Sequence, residues 1–314
     1  MVKKRWIFGG IGAFIVAAVL AFAVVMAALA VYPLIKTHVP IGKKVAILEV
    51  TGPIDSSKEI IRVIHAYRDD PSIAAVIIYI DSPGGSVTYT QEIFDELMKL
   101  KEEDKVVTAY MSAIAASGGY YVACSADEIY ACPGTLTGSI GVIFTITNVE
   151  GLFDKIGLDT KVIKSGKYKD IGSPTREMTP EEEALLGDII DDVYYQFLDT
   201  VVDAREEAVK EVLTEEGNDD AGRYEVKKYV MEYADGRIFS GRQAEKYGFV
   251  DELCNFQTAI DETAKLAGIE GEPTVVKIEI KEPSLWDMIF ESSVEEIKTE
   301  VGRPDGITME YALY

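Results

Sequence analysis

The chain has 314 residues, of which 48% are hydrophobic and 27% charged, and a formal net charge of −22. That is enough length and apolar content for one large domain or two small ones, and no low-complexity tract argues against a packed core. Lys3, Lys4 and Arg5 account for +3, so residues 6–314 carry −25. A body that acidic repels phosphate backbones, which excludes nucleic acid as an expected partner.

Residues 1–5 form a short basic end, and "WIFGGIGAFIVAAVLAFAVVMAALAVY" (6–32) follows with 27 residues and no charge. As a helix this run covers about 40 Å, more than the ~30 Å hydrocarbon core of a bilayer. "ALA" at 28–30 resembles a cleavage site, but signal peptides usually have apolar regions of only ~7–15 residues. An uncleaved single-pass anchor is therefore expected. Lys3, Lys4 and Arg5 favour a cytoplasmic N-terminus, which places the acidic body outside the cytoplasm. Lys36, Lys43 and Lys44 on the far side weaken that orientation without reversing it.

"PLIKTHVPIGKK" (33–44) reads as a tether. "VAILEV" (45–50) is a buried-strand run, and "SSKEIIRVIHAYRDD" (56–70) has helical apolar spacing with Ser56 or Ser57 as N-cap. "IAAVIIYI" (73–80) is continuous and β-rich, as in a parallel strand covered on both faces. A glycine turn leads to the helix "TQEIFDELMKLKEED" (90–104). Then come "KVVTAYM" (strand), the small-residue segment around Ser117 (helix), "EIYA" (strand), a glycine-rich turn and "GVIFTITN" (141–148, strand). Strand and helix alternate three times between 45 and 150, the pattern of βαβ units on a parallel sheet. Past 150 the chain turns helical. Residues 179–213 form a long amphipathic stretch opened by a Thr179–Glu182 capping box, with its acids as a solvated face. "TVVKIEI" (274–280) predicts one more strand, and residues 281–314 read as a tail. The folded body thus spans 45–280.

Chemistry is suggested at two consecutive strand ends. In "YIDSPGGSV" (79–87) paired glycines let backbone N–H groups approach a ligand closely, and ligands of open parallel sheets lie at the carboxyl ends of strands. A plain turn is the simpler reading of that segment alone. In "AIAASGGYYVACSAD" (113–127) Ser117 sits where a strand gives way to a helix, beside Gly118 and Gly119. Together the two segments support an acyl-transfer site. A serine nucleophile needs a base. The two histidines supply a Ser-His-Asp triad poorly, since His38 is in the tether and His65 is on an early helix. Lysine is the alternative, provided its site keeps it neutral. "VIKSGKYKDIGSPTREMT" (162–179) offers Lys164, Lys167 and Lys169, among which composition does not choose. The three cysteines (Cys124, Cys132, Cys254) make no metal site. One bridge with an odd thiol and three reduced, buried thiols both fit, and the apolar settings favour the latter. No cofactor is expected.

Taken together, "DSPGGSV", "AASGGYYVACSAD", "TGSIGVI" (137–143), "KSGKYKDIGSPTREMT" and "DGRIFSGRQAEKYGFVDEL" (235–253) resemble the signal peptide peptidase A family, membrane-anchored serine proteases of the Clp protease/crotonase fold. The resemblance spans roughly 44–270. It implies an α/β fold of repeated βαβ units behind one transmembrane helix. By the same resemblance Ser117 matches the nucleophile, Lys169 the general base, Ser139 a serine that orients the lysine, and Gly85 and Gly118 the oxyanion-hole amides. The resemblance further implies peptide substrates, especially cleaved signal peptides, and a homo-oligomeric ring in which serine and lysine come from one subunit or from neighbours. A non-catalytic membrane scaffold of the same fold is the alternative. A crotonase-type enzyme acting on CoA thioesters is a third reading, disfavoured by the anchor and the acidic surface. The apolar end "TMEYALY" (308–314) is expected to occupy a peptide groove.

Overall fold

The computed structural model describes Met26, residues 42–218 and residues 220–278. The expected anchor (Met26 apart), nearly all of the tether and the C-terminal tail lie outside these residues. Among the described residues no helix is long and apolar enough to cross a membrane. One compact unit ends at Val276, and of a second, beginning at Lys277, only Lys277 and Ile278 are described.

Among the described residues eight strands make one mixed sheet in the order β6-β5-β3-β2-β1-β8, with β4 set between β3 and β7. They are β1 (Lys44–Thr51), β2 (Ile73–Ser82), β3 (Val106–Ala116), β4 (Glu128–Ala131), β5 (Leu136–Gly138), β6 (Ile238–Ser240), β7 (Glu252–Leu253) and β8 (Thr274–Lys277). The pairs β1–β2, β2–β3, β3–β4, β3–β5 and β4–β7 are parallel, and β5–β6 is antiparallel. β3 takes two neighbours on one edge. Its residues 108–111 pair with β4, and 114–116 pair with β5.

The run in β2 explains the layers. Val76, Ile78 and Ile80 enter the main core, while Ala75 and Ile77 enter a smaller cluster on the opposite face. A strand covered on both faces has no polar side to show, hence the unbroken apolar sequence. On the main face lie α1 (Lys58–Asp69), α2 (Val87–Glu102), α3 (Gly118–Ala123), α5 (Pro180–Glu215) and α6 (Arg223–Tyr233), which contribute Ile64, Leu97, Val122, Val201 and Val230 to that core. On the other face α8 (Phe256–Leu266) contributes Ala259, Ile260 and Ala264. α4 (Glu150–Ile156) buries none of its residues, and α7 (Gly241–Lys246) follows β6.

The local signals act as read, with three differences. Ser57 and Ser86 stand at the N-caps of α1 and α2, and Thr179 and Glu182 form the reciprocal capping box of α5. The predicted strand at 141–148 is not one: the segment is irregular, with Ile143 88% and Phe144 59% exposed. Positive φ at Gly138 (84°) and Ser139 (51°) turns the chain out of the sheet before the apolar run begins, so its alternation meets no partner strand. Glu182 is buried rather than on a solvated face. Cys124 is buried, but Cys132 and Cys254 are only partly so.

Candidate active site

β2 and β3 end side by side, and their exits build the site. Asp81 Oδ1 accepts from the Ile114 amide at 3.2 Å, where the β2–β3 register shifts. Ser82, fully buried, donates from its hydroxyl to the Gly52 carbonyl (2.6 Å) and accepts from the Gly84 amide (3.1 Å). Gly84 has φ 95°, and a Cβ there would lie 2.6 Å from the Gly118 nitrogen and 2.9 Å from Ser117 Cβ. Only glycine fits. Gly85 is clamped by a parallel bridge to Ile54, in which the Ile54 amide donates to the Gly84 carbonyl (2.9 Å) and the Ser86 amide to the Ile54 carbonyl (2.8 Å). The bridge uses the residues either side of Gly85, so the Gly85 amide takes no part in it.

Ser117 is the turning point from β3 into α3, with φ 53° and ψ −120°. A non-glycine residue held there costs on the order of 1–3 kcal/mol, and surrounding bonds impose it. Its amide donates to the Gly138 carbonyl (2.9 Å) and its carbonyl accepts from Tyr121 (2.9 Å). The following Gly118 is the first residue of α3, a position whose N–H has no partner within a helix. A Cβ on Gly118 would meet Gly84 Cα and the Gly85 nitrogen at 3.3 Å and Thr90 Oγ1 at 2.7 Å. The two strand exits are therefore in backbone contact, and the Gly85 and Gly118 amides lie close together beside Ser117.

Ser139, also at positive φ, follows β5 and donates its amide to the Arg237 carbonyl at 2.8 Å. It shares an open groove of about 810 Å³ with Ser117 and Gly85, walled by Ile143, Tyr194 and Met231. A recess of about 30 Å³, lined among others by Ser117, Thr90, Tyr121, Val142 and Phe197, shares Ser117 and Val142 with that groove. Its walls are mostly apolar, which suits a small apolar side chain.

The structure thus brings Ser117, Ser139 and Gly85 around one groove, with Gly118 in the adjoining recess, and Lys169 lines neither. Lys169 is exposed, on a turn closed by its amide donating to Gly166 (3.3 Å), and lines neither the groove nor the recess. The loop that carries it is tied to α5. Arg176 bonds Asp170 (2.8 Å) and Glu182 (2.6 Å), Lys164 pairs with Asp170 (2.5 Å), and Lys167 pairs with Glu181. Hydrogen bonds from Arg176 and then Lys164 hold the Asp170 carboxyl well below the usual carboxylate range. Bonds from Arg176, then from the Thr179 amide, hold Glu182 down at about 2. His65 pairs with Glu96 on α2 (2.8 Å), away from the groove, and His38 lies outside the described residues.

Three supporting residues escaped the sequence reading. Ser82 stood inside "DSPGGSV", yet only its two buried bonds reveal that it holds the glycine turn. Thr90, buried, donates to the Ser86 carbonyl (2.8 Å) and packs on Gly118. Tyr120, fully buried on α3, donates to the Phe249 carbonyl (2.9 Å). The strap around Phe249 is fixed in turn by Arg205, which donates to the Gly248 carbonyl and pairs with Asp251. Besides the local bonds to Gly84 and Ser86, these residues reach Gly52, Gly118 and Phe249, which are distant in sequence, so no local pattern announces the full set.

A model of peptidase family S49 matches residues 99–216 and 220–270, and one of the Clp protease family matches 43–136. A Synechocystis sp. protein provisionally named a protease is 43% identical over 230 residues, 73% of this chain and 76% of its own length. An Enterococcus faecium protein provisionally named signal peptide peptidase SppA is 33% identical over 198 residues, 63% of this chain and 52% of its own. The chloroplastic serine protease SPPA of Arabidopsis thaliana is 32% identical over 246 residues, 76% of this chain and 34% of its own. The last two relatives are therefore spanned only in part. With the matched models covering both the glycine-turn half and the lysine-bearing half of an α/β fold, the chain belongs to peptidase family S49, the signal peptide peptidase A family of proteases.

Proposed function

We propose that this chain is a membrane-anchored serine endopeptidase with a Ser/Lys dyad, acting on cleaved signal peptides and other extended apolar peptides. Ser117 Oγ attacks the scissile carbonyl and passes its proton to neutral Lys169 Nζ. The carbonyl oxygen becomes an oxyanion held by the Gly85 and Gly118 amides. Collapse of this intermediate breaks the C–N bond, and Lys169 returns the proton to the leaving amine. Water, deprotonated by the same lysine, then releases the acyl group from Ser117. Ser139 accepts or donates a hydrogen bond that aims the lysine.

The observation that carries this reading is the close approach of two glycine turns beside a serine held at φ 53° on an open groove. Because Lys169 does not line its own chain's groove, we assign it to the groove of a neighbouring subunit in a ring. Ile143, Phe144, Ile156 and Ile163, all more than half exposed, supply an apolar face for such packing. The uncharged run 6–32 serves as the anchor, N-terminus inside, which confines the protease to the surface where lipid-embedded peptides lie. The alternative, a silent scaffold, predicts assembly without hydrolysis.

Peptide cleavage by Ser117→Ala and Lys169→Arg chains tests both. Each alone is expected to be inactive, since arginine stays charged, and mixing the two is expected to restore part of the activity. Full activity in purified Ser117→Ala would overturn the assignment, and absence of rescue on mixing would overturn the shared site.

A further inference from the structure

Two of the three cysteines meet where β4 and β7 end. Tyr130 lies opposite Glu252 and Ala131 opposite Leu253. The Cys254 amide closes the Ala131–Leu253 pair by donating to the Ala131 carbonyl at 2.9 Å. One position beyond these last paired residues stand Cys132 and Cys254. Opposed residues on adjacent strands are about 4.8 Å apart, inside the ~4.4–6.8 Å Cα separation that a disulfide spans. Register partners point to one face, and both side chains pack against the same small cluster, with Tyr110 and Phe256. Cys132 Sγ lies 3.1 Å from the Tyr110 hydroxyl and 3.5 Å from the Cys254 carbonyl oxygen. Cys124 belongs to the main core on the opposite face.

We propose that Cys132 and Cys254 are a redox pair that a small disulfide, such as oxidised glutathione, converts into an intramolecular disulfide. One protein thiolate attacks a sulfur of the oxidant, forming a mixed disulfide and releasing one reduced thiol. The second protein thiolate then attacks the protein sulfur of that mixed disulfide and releases the other. Two electrons pass from the protein to the oxidant, one S–S bond breaks and one forms, and the two protein thiol protons end on the two released thiols. The bridge closes a loop from 132 to 254. That loop holds Ser139, the Lys169 turn and the whole of α5, so the lysine-bearing half of the molecule is cross-linked in the unfolded chain and resists unfolding.

The test uses the full-length protein in detergent. It is incubated with a large excess of oxidised glutathione at pH about 9, because burial pushes the Cys254 thiol up to about 11 and thiolate is the reacting form. Free thiols are then counted under denaturing conditions, and the peptides are mapped by mass. The expected result is a fall from three thiols to one, that one being Cys124, with a 132–254 cross-link, faster migration on a non-reducing gel and a higher melting temperature. Cys132→Ser is expected to keep both remaining thiols unbridged. Three surviving thiols in the wild type, stable glutathione adducts without a bridge, or cross-links between chains would each overturn the proposal.

Discussion

Replacing Gly85 with alanine separates the oxyanion role of its amide from simple packing. The added Cβ would fall 2.3 Å from the Ile54 carbonyl oxygen, 2.6 Å from its nitrogen and 2.7 Å from its carbonyl carbon. All three are backbone atoms of a residue only 3% exposed, so they have nowhere to go. Gly85 has no positive φ, so the conflict is steric. To regain ordinary contact the turn must retreat by about 1 Å, against the two bonds that clamp Gly84 and Ser86 to Ile54. Overpacking of this kind costs roughly 1–3 kcal/mol of stability. A donor displaced by about 1 Å no longer meets the oxyanion, and loss of one such donor lowers kcat by about 10²–10³ (roughly 2.7–4 kcal/mol). Gly85→Ala is therefore expected to lower the melting temperature by several degrees and kcat by at least about 100-fold, with KM changed far less. The assay is hydrolysis of an internally quenched apolar peptide, beside circular dichroism to establish folding. Gly134→Ala, where a Cβ meets nothing within 4 Å, is the control and keeps full activity. A folded Gly85→Ala protein with kcat within about threefold of wild type would refute the oxyanion assignment.

Tyr120→Phe leaves the buried Phe249 carbonyl unpaired and is expected to cost about 1–2 kcal/mol in denaturant unfolding; a change near zero would mean that the strap is held without it. Arg205→Leu removes both guanidinium bonds to Asp251, leaving it only the Ile129 amide, and is expected to cost about 3 kcal/mol, read in the same way, with no loss indicating that the pair is structurally idle. Glu182 sits at about 2 in the folded chain against 4.5 unfolded. Its depressed pKa means that its contribution is complete above pH 4.5 and fades as pH falls towards 2. Hydrogen-exchange protection at the start of α5, corrected for intrinsic rates, is expected to fall between pH 5 and pH 2.5 in wild type and to begin falling at higher pH in Arg176→Gln, where only the Thr179 bonds still depress the carboxyl; equal behaviour of the two would contradict that.

The sheet was legible because its strands are short apolar runs punctuated by turn residues. "IAAVIIYI" announced a strand covered twice, and the Thr179–Glu182 capping box marked a helix start through local chemistry alone, whereas Ser57 stands at the start of α1 without a side-chain capping bond. The same kind of signal misled at 141–148. There the apolar run is β-rich, but two positive-φ residues upstream steer it away from any partner, a fact set by tertiary packing around Phe239 and Arg237. The two glycine turns were readable as a pair, yet which of Gly84 and Gly85 packs and which presents its amide depends on Ile54 and Ser117, neither of which is a sequence neighbour of theirs. Motif resemblance singled out Lys169, whereas whether it lines the groove depends on how the chain folds rather than on any pattern in the loop. The Cys132–Cys254 pairing was open for a similar reason, since a register is a relation between strands far apart in the chain.

The most direct measurement is covalent labelling with a fluorophosphonate probe, followed by peptide mapping of the modified residue. A hydroxyl activated by an uncharged lysine predicts stoichiometric labelling at Ser117, rising with pH, abolished in Ser117→Ala and strongly slowed in Lys169→Ala. Labelling that maps elsewhere, or that proceeds at Ser117 with undiminished rate in Lys169→Ala, would contradict the dyad.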